Sequence, residues 1–248
     1  MTFPYFLAVE SQIKEFERKF QDLNIEARKE LEETHNSRCV EIVEDNLSSL
    51  PRSIAMEHHK YVSSIIKRKH PFTNLRLFFN HLNLYCWNFL EYHVLESLIE
   101  SKCSKELREK MSGYARDVEK FRQKTTISDF IRCARHLVKK RTIPPHFKKV
   151  TLEHAVDPDV YTLAELDAFR KDTLESLHLK LSECAFQVYL IKHGCIIVKW
   201  MIPEDFAGSL SDFFSGEDGL EILCRHKVEK LKIDKIAIPI QSVSALCV

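Results

Sequence analysis

The apolar residues Phe6, Val9, Ile13, Phe16, Phe20, Leu23 and Ala27 follow one another in alternating steps of three and four. This spacing lays them along one seam of a long helix, as in a coiled coil. Repeated phenylalanine on such a seam suits packing inside a mixed helical bundle better than a tight parallel dimer, with self-association through the helix as the alternative. Helical signals continue from Arg38 to Leu50, stop at Pro51, resume from Ser53 to Lys67 and stop again at Pro71. The stretch "LYCWNFLEYHVLESLIE", Leu84 to Glu100, reads as a core helix with Leu84, Trp87, Leu90, Tyr92, Val94, Leu95, Leu98 and Ile99 on a broad apolar arc. Ser104 to Gln123 is a further helix striped by Leu107, Met111, Tyr114, Val118 and Phe121. Thr126 with Asp129 marks the N-cap of another, running through Val138.

Beyond the basic, proline-containing connector "KKRTIPPHFKK" the period changes. Thr162 and Glu165 form a T-x-x-E capping box, with Tyr161 and Leu166 placed for a hydrophobic staple, and open a helix through Leu177. "FQVYLIKHGCIIVKWMIP" reads as two β-strands joined by a tight turn at His193-Gly194. A helix from Glu204 to Phe214, a break from Gly216 to Gly219, a short helix to about His226 and a final strand in "LKIDKIAIP" complete the pattern. The last strand should join the hairpin, since a lone pair of strands is marginal in water, and the helix after Thr162 should cover one face. The expected fold class is α+β: a mainly helical N-terminal bundle followed by a small α/β layer with an antiparallel hairpin and one further strand. The corresponding domains are a helical one at 1–140 and a small α/β one at 160–240.

Composition narrows the chemistry. In 248 residues, 37 lysines and arginines nearly balance 36 aspartates and glutamates, so the formal net charge of +1 supplies no global field toward nucleic acid or anionic lipid. Nucleic acid is accordingly not an expected partner. No apolar run approaches the roughly 20 residues that span a bilayer, and "MTFPYFLAVESQIKEF" turns charged too soon for a signal peptide. The eight cysteines form no CxxC pair and read as reduced thiols, so a cytoplasmic location is expected. The five glycines, none before Gly113, exclude a P-loop, a dinucleotide fingerprint and a G-x-S-x-G elbow. No cofactor is expected.

The densest group of reactive side chains lies in the Leu84 helix, but Cys86, His93, Glu96, Ser97 and Glu100 fall opposite its apolar arc. Cys86 and His93 would stand roughly 10 Å apart along the axis, too far for a thiolate and its base. His93 and Glu96 can meet as a surface pair. Asn88 and Glu91 interrupt the arc, so Glu91 is expected to be buried and paired, with Arg76 as its partner. Cys133-x-x-His136, His193-x-Cys195 and Cys224-x-His226 are fragments of metal sites without the four converging ligands of a zinc centre, and His58-His59 points to two helix faces. No metal site is expected. The basic clusters Lys67 to His70, Lys139 to Arg141 and Lys148-Lys149 sit at helix ends and connectors, where solvated positive charge is ordinary.

The runs "NLYCWNFLEYHVLESLIE", "RDVEKFRQKTT", "PPHFKKV", "YTLAELDAFRK" and "IIVKWMIPE" resemble an uncharacterised helical plus α/β module of predicted proteins from sponges, corals and some other animals. The resemblance covers about Phe72 to Ile238, most specifically at Trp87 to Leu90, Phe121-Arg122, Tyr161 to Leu163 and Trp200 to Pro203. It implies a neighbourhood of death-fold or NTPase-type signalling domains, and carries over no catalytic residue. The expected function is therefore a protein-interaction module, an adaptor or scaffold in intracellular signalling of the death-fold-linked or innate-immune type. A small enzyme whose residues converge only in three dimensions is the alternative. The expected contact surface is the N-terminal seam, Phe6, Val9, Ile13, Phe16, Phe20 and Leu23, which must be covered either by this chain or by a protein partner, a second copy included.

Overall fold

The computed structural model describes residues 3–35, 79, 89–90, 92–134, 147–177, 187–192, 196–238 and 240. The chain packs as two compact units, one of Ser11–Phe121 with Leu181–Cys184, the other of Met1–Glu10, Arg122–Lys180 and Ala185–Val248. The fold class is α+β, with a long N-terminal helix and an antiparallel sheet. No helix among the described residues is long and apolar enough to cross a membrane.

The helical unit draws on α1 (Phe3–His35), α2 (His93–Lys102) and α3 (Lys105–Lys124). The seam of α1 meets the stripe of α3: the Phe16 ring stands edge-on to Tyr114 at 6.0 Å and to Phe121 at 5.3 Å, and Phe20 lies 6.3 Å from Tyr114. Lys110 reaches Glu26 at 2.8 Å, and the Ser104 hydroxyl donates to Glu30 at 2.9 Å. Contacts thus ascend along α3 as they descend along α1, so the two helices run antiparallel. Glu30 also accepts the Ser104 backbone N–H, placing a carboxylate where the first donors of α3 lack partners. Leu107, Met111, Tyr114, Val118 and Phe121 are all buried, as their spacing requires.

The helix expected from Leu84 is shorter than its periodicity suggests. Phe89 and Leu90 form a bend, and α2 starts at His93 with Tyr92 as its N-cap. A tertiary contact accounts for this: the Tyr114 hydroxyl donates to the Phe89 carbonyl at 2.7 Å, and the Phe89 ring stacks on Phe16 at 6.4 Å. A carbonyl held by a distant phenol is not the start of a helical ladder. From Tyr92 onward the expected arc holds, with Tyr92, Leu95, Leu98 and Ile99 buried. Cys86, Trp87, Asn88, Glu91 and Arg76 lie outside the described residues, as do the helices expected between Arg38 and Lys67.

The sheet unit contains α4 (Ile127–Cys133), β1 (Phe147–His154), α5 (Leu163–Ser176), β2 (Gln187–Lys192), β3 (Ile196–Pro203), α6 (Glu204–Ser215), α7 (Glu217–Arg225), β4 (Val228–Ile233) and β5 (Ile236–Ile238). The Thr126 hydroxyl accepts the Asp129 N–H at the start of α4, and Thr162 and Glu165 complete their capping box at the start of α5. The five strands lie in the order β2-β3-β1-β4-β5, all antiparallel.

Three expectations are corrected here. The end of the supposed connector is the central strand β1, and Lys148-Lys149 belong to it. Its inward positions are Val150, Leu152 and His154, all buried, and a histidine at an inward position hid the strand pattern. The C-terminal segment is two strands, with Asp234 at φ 53° in the turn, and β4 pairs with β1 rather than with the β2–β3 hairpin. The glycine break reduces to Gly216, while Gly219 lies inside α7. A Cβ on Gly219 would fall 2.2 Å from the Phe213 carbonyl oxygen, so glycine here lets α7 approach the end of α6. The hairpin pairs as expected, and its His193-Gly194 turn lies outside the described residues.

The inner face of the sheet, including Ile196, Val198, Val228, Leu231 and Ile233, is buried together with Phe169, Leu210, Phe214, Ile222 and Leu223 from the helices. Phe169 on α5 is the hub. Its ring stacks on Phe214 at 6.3 Å and stands edge-on to His154 at 5.6 Å and His226 at 5.2 Å. Nearby on the same helix, Asp167 takes Arg122 at 2.9 Å, Lys171 at 3.1 Å and Arg170, with both arginines buried. Burial alone would raise the Asp167 carboxyl, but Arg170, Arg122 and Lys171 overcome it and hold the group down at about 2.

Candidate functional site

Helix α5 presents Glu165, Ala168 and Asp172 in steps of three and four, which puts them on one face beside Phe169. Opposite this face, α7 ends at Arg225 and the chain turns through His226 and Lys227 into β4. Between them lies a cavity of about 260 Å³ lined by Val156, Tyr161, Glu165, Ala168, Arg225, His226 and Lys227. Lys227 holds a left-handed backbone, φ 54°, costly for a residue with a Cβ. Two hydrogen bonds fix it: its N–H donates to the Cys224 carbonyl at 2.9 Å, and its carbonyl accepts the Ala155 N–H at 2.8 Å.

The rim carries Glu165, Arg225, His226 and Lys227, and Asp172 lies against two of them. The His226 Nε2 donates to Asp172 at 2.8 Å, and Arg225 reaches the same carboxylate oxygen at 3.3 Å. Because an ionised carboxylate only accepts, Nε2 of His226 is the donor in this pair. Glu165 accepts from the backbone and hydroxyl of its own capping residue, Thr162, at 2.7 and 2.8 Å. The Tyr161 hydroxyl donates to the Glu165 carbonyl at 3.3 Å, and burial, helped by the Glu165 charge, pushes the phenol well above its ordinary range.

Beneath the rim, His154 is buried to 1% exposure. Its Nδ1 donates to the His226 carbonyl at 3.1 Å, while its Nε2 is buried with no hydrogen-bond partner among the described residues. Burial lowers this imidazole to about 4, so it is neutral at physiological pH. No Ser, Thr or Cys among the described residues lines the cavity. The arrangement offers a mixed-charge rim around a small apolar floor, with one oriented histidine.

The residues singled out from the sequence fall elsewhere. Val9, Ile13, Phe16, Phe20 and Leu23 are buried, so these members of the seam face the interior of this chain; the Phe6 side chain lies outside the described ones. His93 and Glu96 do meet, at 3.2 Å and partly buried, and Glu100 is exposed. No group of three or more metal-ligating side chains converges among the described residues. Cys103 is buried, and burial together with Glu30 pushes its thiol up to about 12, leaving it inert. Cys224 departs from the expectation of reduced thiols: it is disulfide-bonded. The Asp172–His226 pair carried no signal in the sequence, being 54 residues apart. Compared with protein-family models, curated proteins and solved structures, the chain matches none.

Proposed function

We propose that the chain is a protein-interaction module, an adaptor or scaffold, and that the groove between α5 and the α7–β4 turn is its contact surface. The observation carrying this reading is that Asp172, Arg225 and Glu165 are already engaged within the chain, the Tyr161 hydroxyl is bonded to the Glu165 carbonyl, and no serine, threonine or cysteine among the described residues lines the groove. A site so arranged recognises shape and hydrogen bonds rather than making and breaking covalent ones. A place in intracellular, death-fold-linked signalling is the wider form of the proposal and rests on the sequence resemblance alone. Ala168→Arg fills the groove from a half-buried position on α5. Affinity capture from cells with the folded variant should lose the partners held by the natural chain, and an unchanged partner set would refute the groove as the contact.

The alternative, a small enzyme, has one observation in its favour: Asp172 orients His226, which lines the groove. A general base of this kind contributes about 10²–10⁴-fold to a rate. Turnover in a broad hydrolase screen, falling by that factor in His226→Gln, would favour the enzyme over the adaptor.

A further inference from the structure

The sheet unit contains a histidine that no contact equips for a second proton. His154 sits on the central strand, where the β1–β4 register shifts between Glu153 and His154, and its direct neighbours across the sheet are Ile196 and Val228. From α5 it faces the Phe169 ring, from the loop before α5 the neutral Tyr161 phenol at 6.0 Å, and from the α7–β4 turn the His226 carbonyl and the His226 imidazole, which opposes a positive charge on His154. The nearest carboxylate named in this network, Asp172, is bonded to His226 and Arg225 instead. A proton added at His154 Nε2 would therefore create a buried cation with no acceptor among the described residues.

We infer that His154 makes the α7–β4 turn an acid-sensitive latch: protonation of its ring favours an opened turn, in which the rim residues Arg225, His226 and Lys227 leave the groove. Two features make this turn the place that yields. Its backbone is held in the left-handed region at Lys227, and it is tied to β1 chiefly through the Ala155–Lys227 and His154–His226 hydrogen bonds at the end of the strand. The opened turn hydrates the ring, which then takes its proton at the ordinary histidine value of 6.5 rather than at about 4. The opening equilibrium should accordingly rise about tenfold between pH 7.5 and 5.5. Any consequence for partner binding rests on the groove being the contact surface; the latch itself does not.

Hydrogen exchange on the whole chain tests it, with rates corrected for the intrinsic pH dependence of exchange. The amides of Ala155 and Lys227 should open about tenfold more readily at pH 5.5 than at pH 7.5, while those of Val150 and Leu152 at mid-strand stay unchanged. His154→Asn, which keeps a donor near the Nδ1 position without a titrating ring, should abolish the difference. Equal acceleration of turn and mid-strand amides would overturn the latch in favour of global loosening, and no acceleration would overturn it outright. If His154→Asn does not fold, the ring is followed by NMR in the natural chain. A neutral Nδ1–H ring at pH 5.5 supports the latch, and titration at the ordinary histidine value while the turn is closed refutes it. Loss of partner binding in Ala168→Arg with no pH effect on the turn would sink this inference and leave the proposed function standing.

Discussion

The helical and sheet units both build their cores around aromatic clusters, Phe16 with Phe89, Tyr114 and Phe121 in one, Phe169 with Phe214, His154 and His226 in the other. They differ in what else they bury. Among the described residues, the buried polar ones are Asn24 in the helical unit and Arg122, Thr125, Ser128, Asp129, His154, Asp167, Arg170 and Thr173 in the sheet unit. An apolar helical seam can be stabilised by area alone, whereas buried charges are tolerable only when each finds a partner. The sheet unit is therefore the part whose stability should depend on pH and on single polar atoms.

The largest expected effect attacks the apolar side of this contrast. Phe16→Glu with Phe20→Glu removes two buried rings and inserts two charges. Each Phe→Ala truncation in a core typically costs about 3–5 kcal/mol, so the pair should exceed about 6 kcal/mol and melt the helical unit. Circular dichroism would register the loss of α1 and α3. A folded double variant would mean that the seam is not held by this chain's own core.

Asp167→Asn comes next and breaks the polar side. It leaves Arg122 and Arg170 buried without their carboxylate, a change of about 3–5 kcal/mol in comparable buried pairs, read by denaturant unfolding followed at a sheet-unit probe. The same residue predicts an acid step. Its carboxyl is held at about 2 in the fold against 3.8 in the unfolded chain, so the stabilisation is fully present above pH 4 and is lost as pH falls toward 2. The shift corresponds to about 2.5 kcal/mol, and Asp167→Asn should flatten that part of the stability profile. A helical-unit probe that showed the same step would erase the distinction between the units.

The smallest effect concerns the feature easiest to read in the sequence. Thr162→Ala removes the hydroxyl that accepts the Glu165 N–H and should cost about 1 kcal/mol in thermal or chemical unfolding. If it cost as much as Asp167→Asn, the cap would be holding more than the first turn of α5.

Features legible in the sequence are those whose partners are close along the chain. The α1 seam, the α3 stripe and the Thr126 and Thr162 caps all follow from spacings of three or four residues, and the structure places them as expected. Where a distant group intervened, local reading failed. Tyr114 takes the Phe89 carbonyl and shortens α2, His154 stands inward on β1 and obscures the central strand, and Gly219 lies within a helix because the end of α6 approaches it. The groove belongs wholly to this second class: Asp172 and His226 are unremarkable until α5 and α7 meet on the sheet.

The sequence by itself determined the α+β class, the long amphipathic first helix, the main helix starts and the hairpin, because a helix or strand selects its buried face by a period of 3.6 or 2 that any short window displays. Tertiary structure alone decided that β1 is central, that Arg122 and Asp167 share one buried charge cluster, and that His226, Asp172 and His154 lie together. These are pairings across tens of residues. Their free energy arises only when water is excluded from between the partners, and no local period records that event.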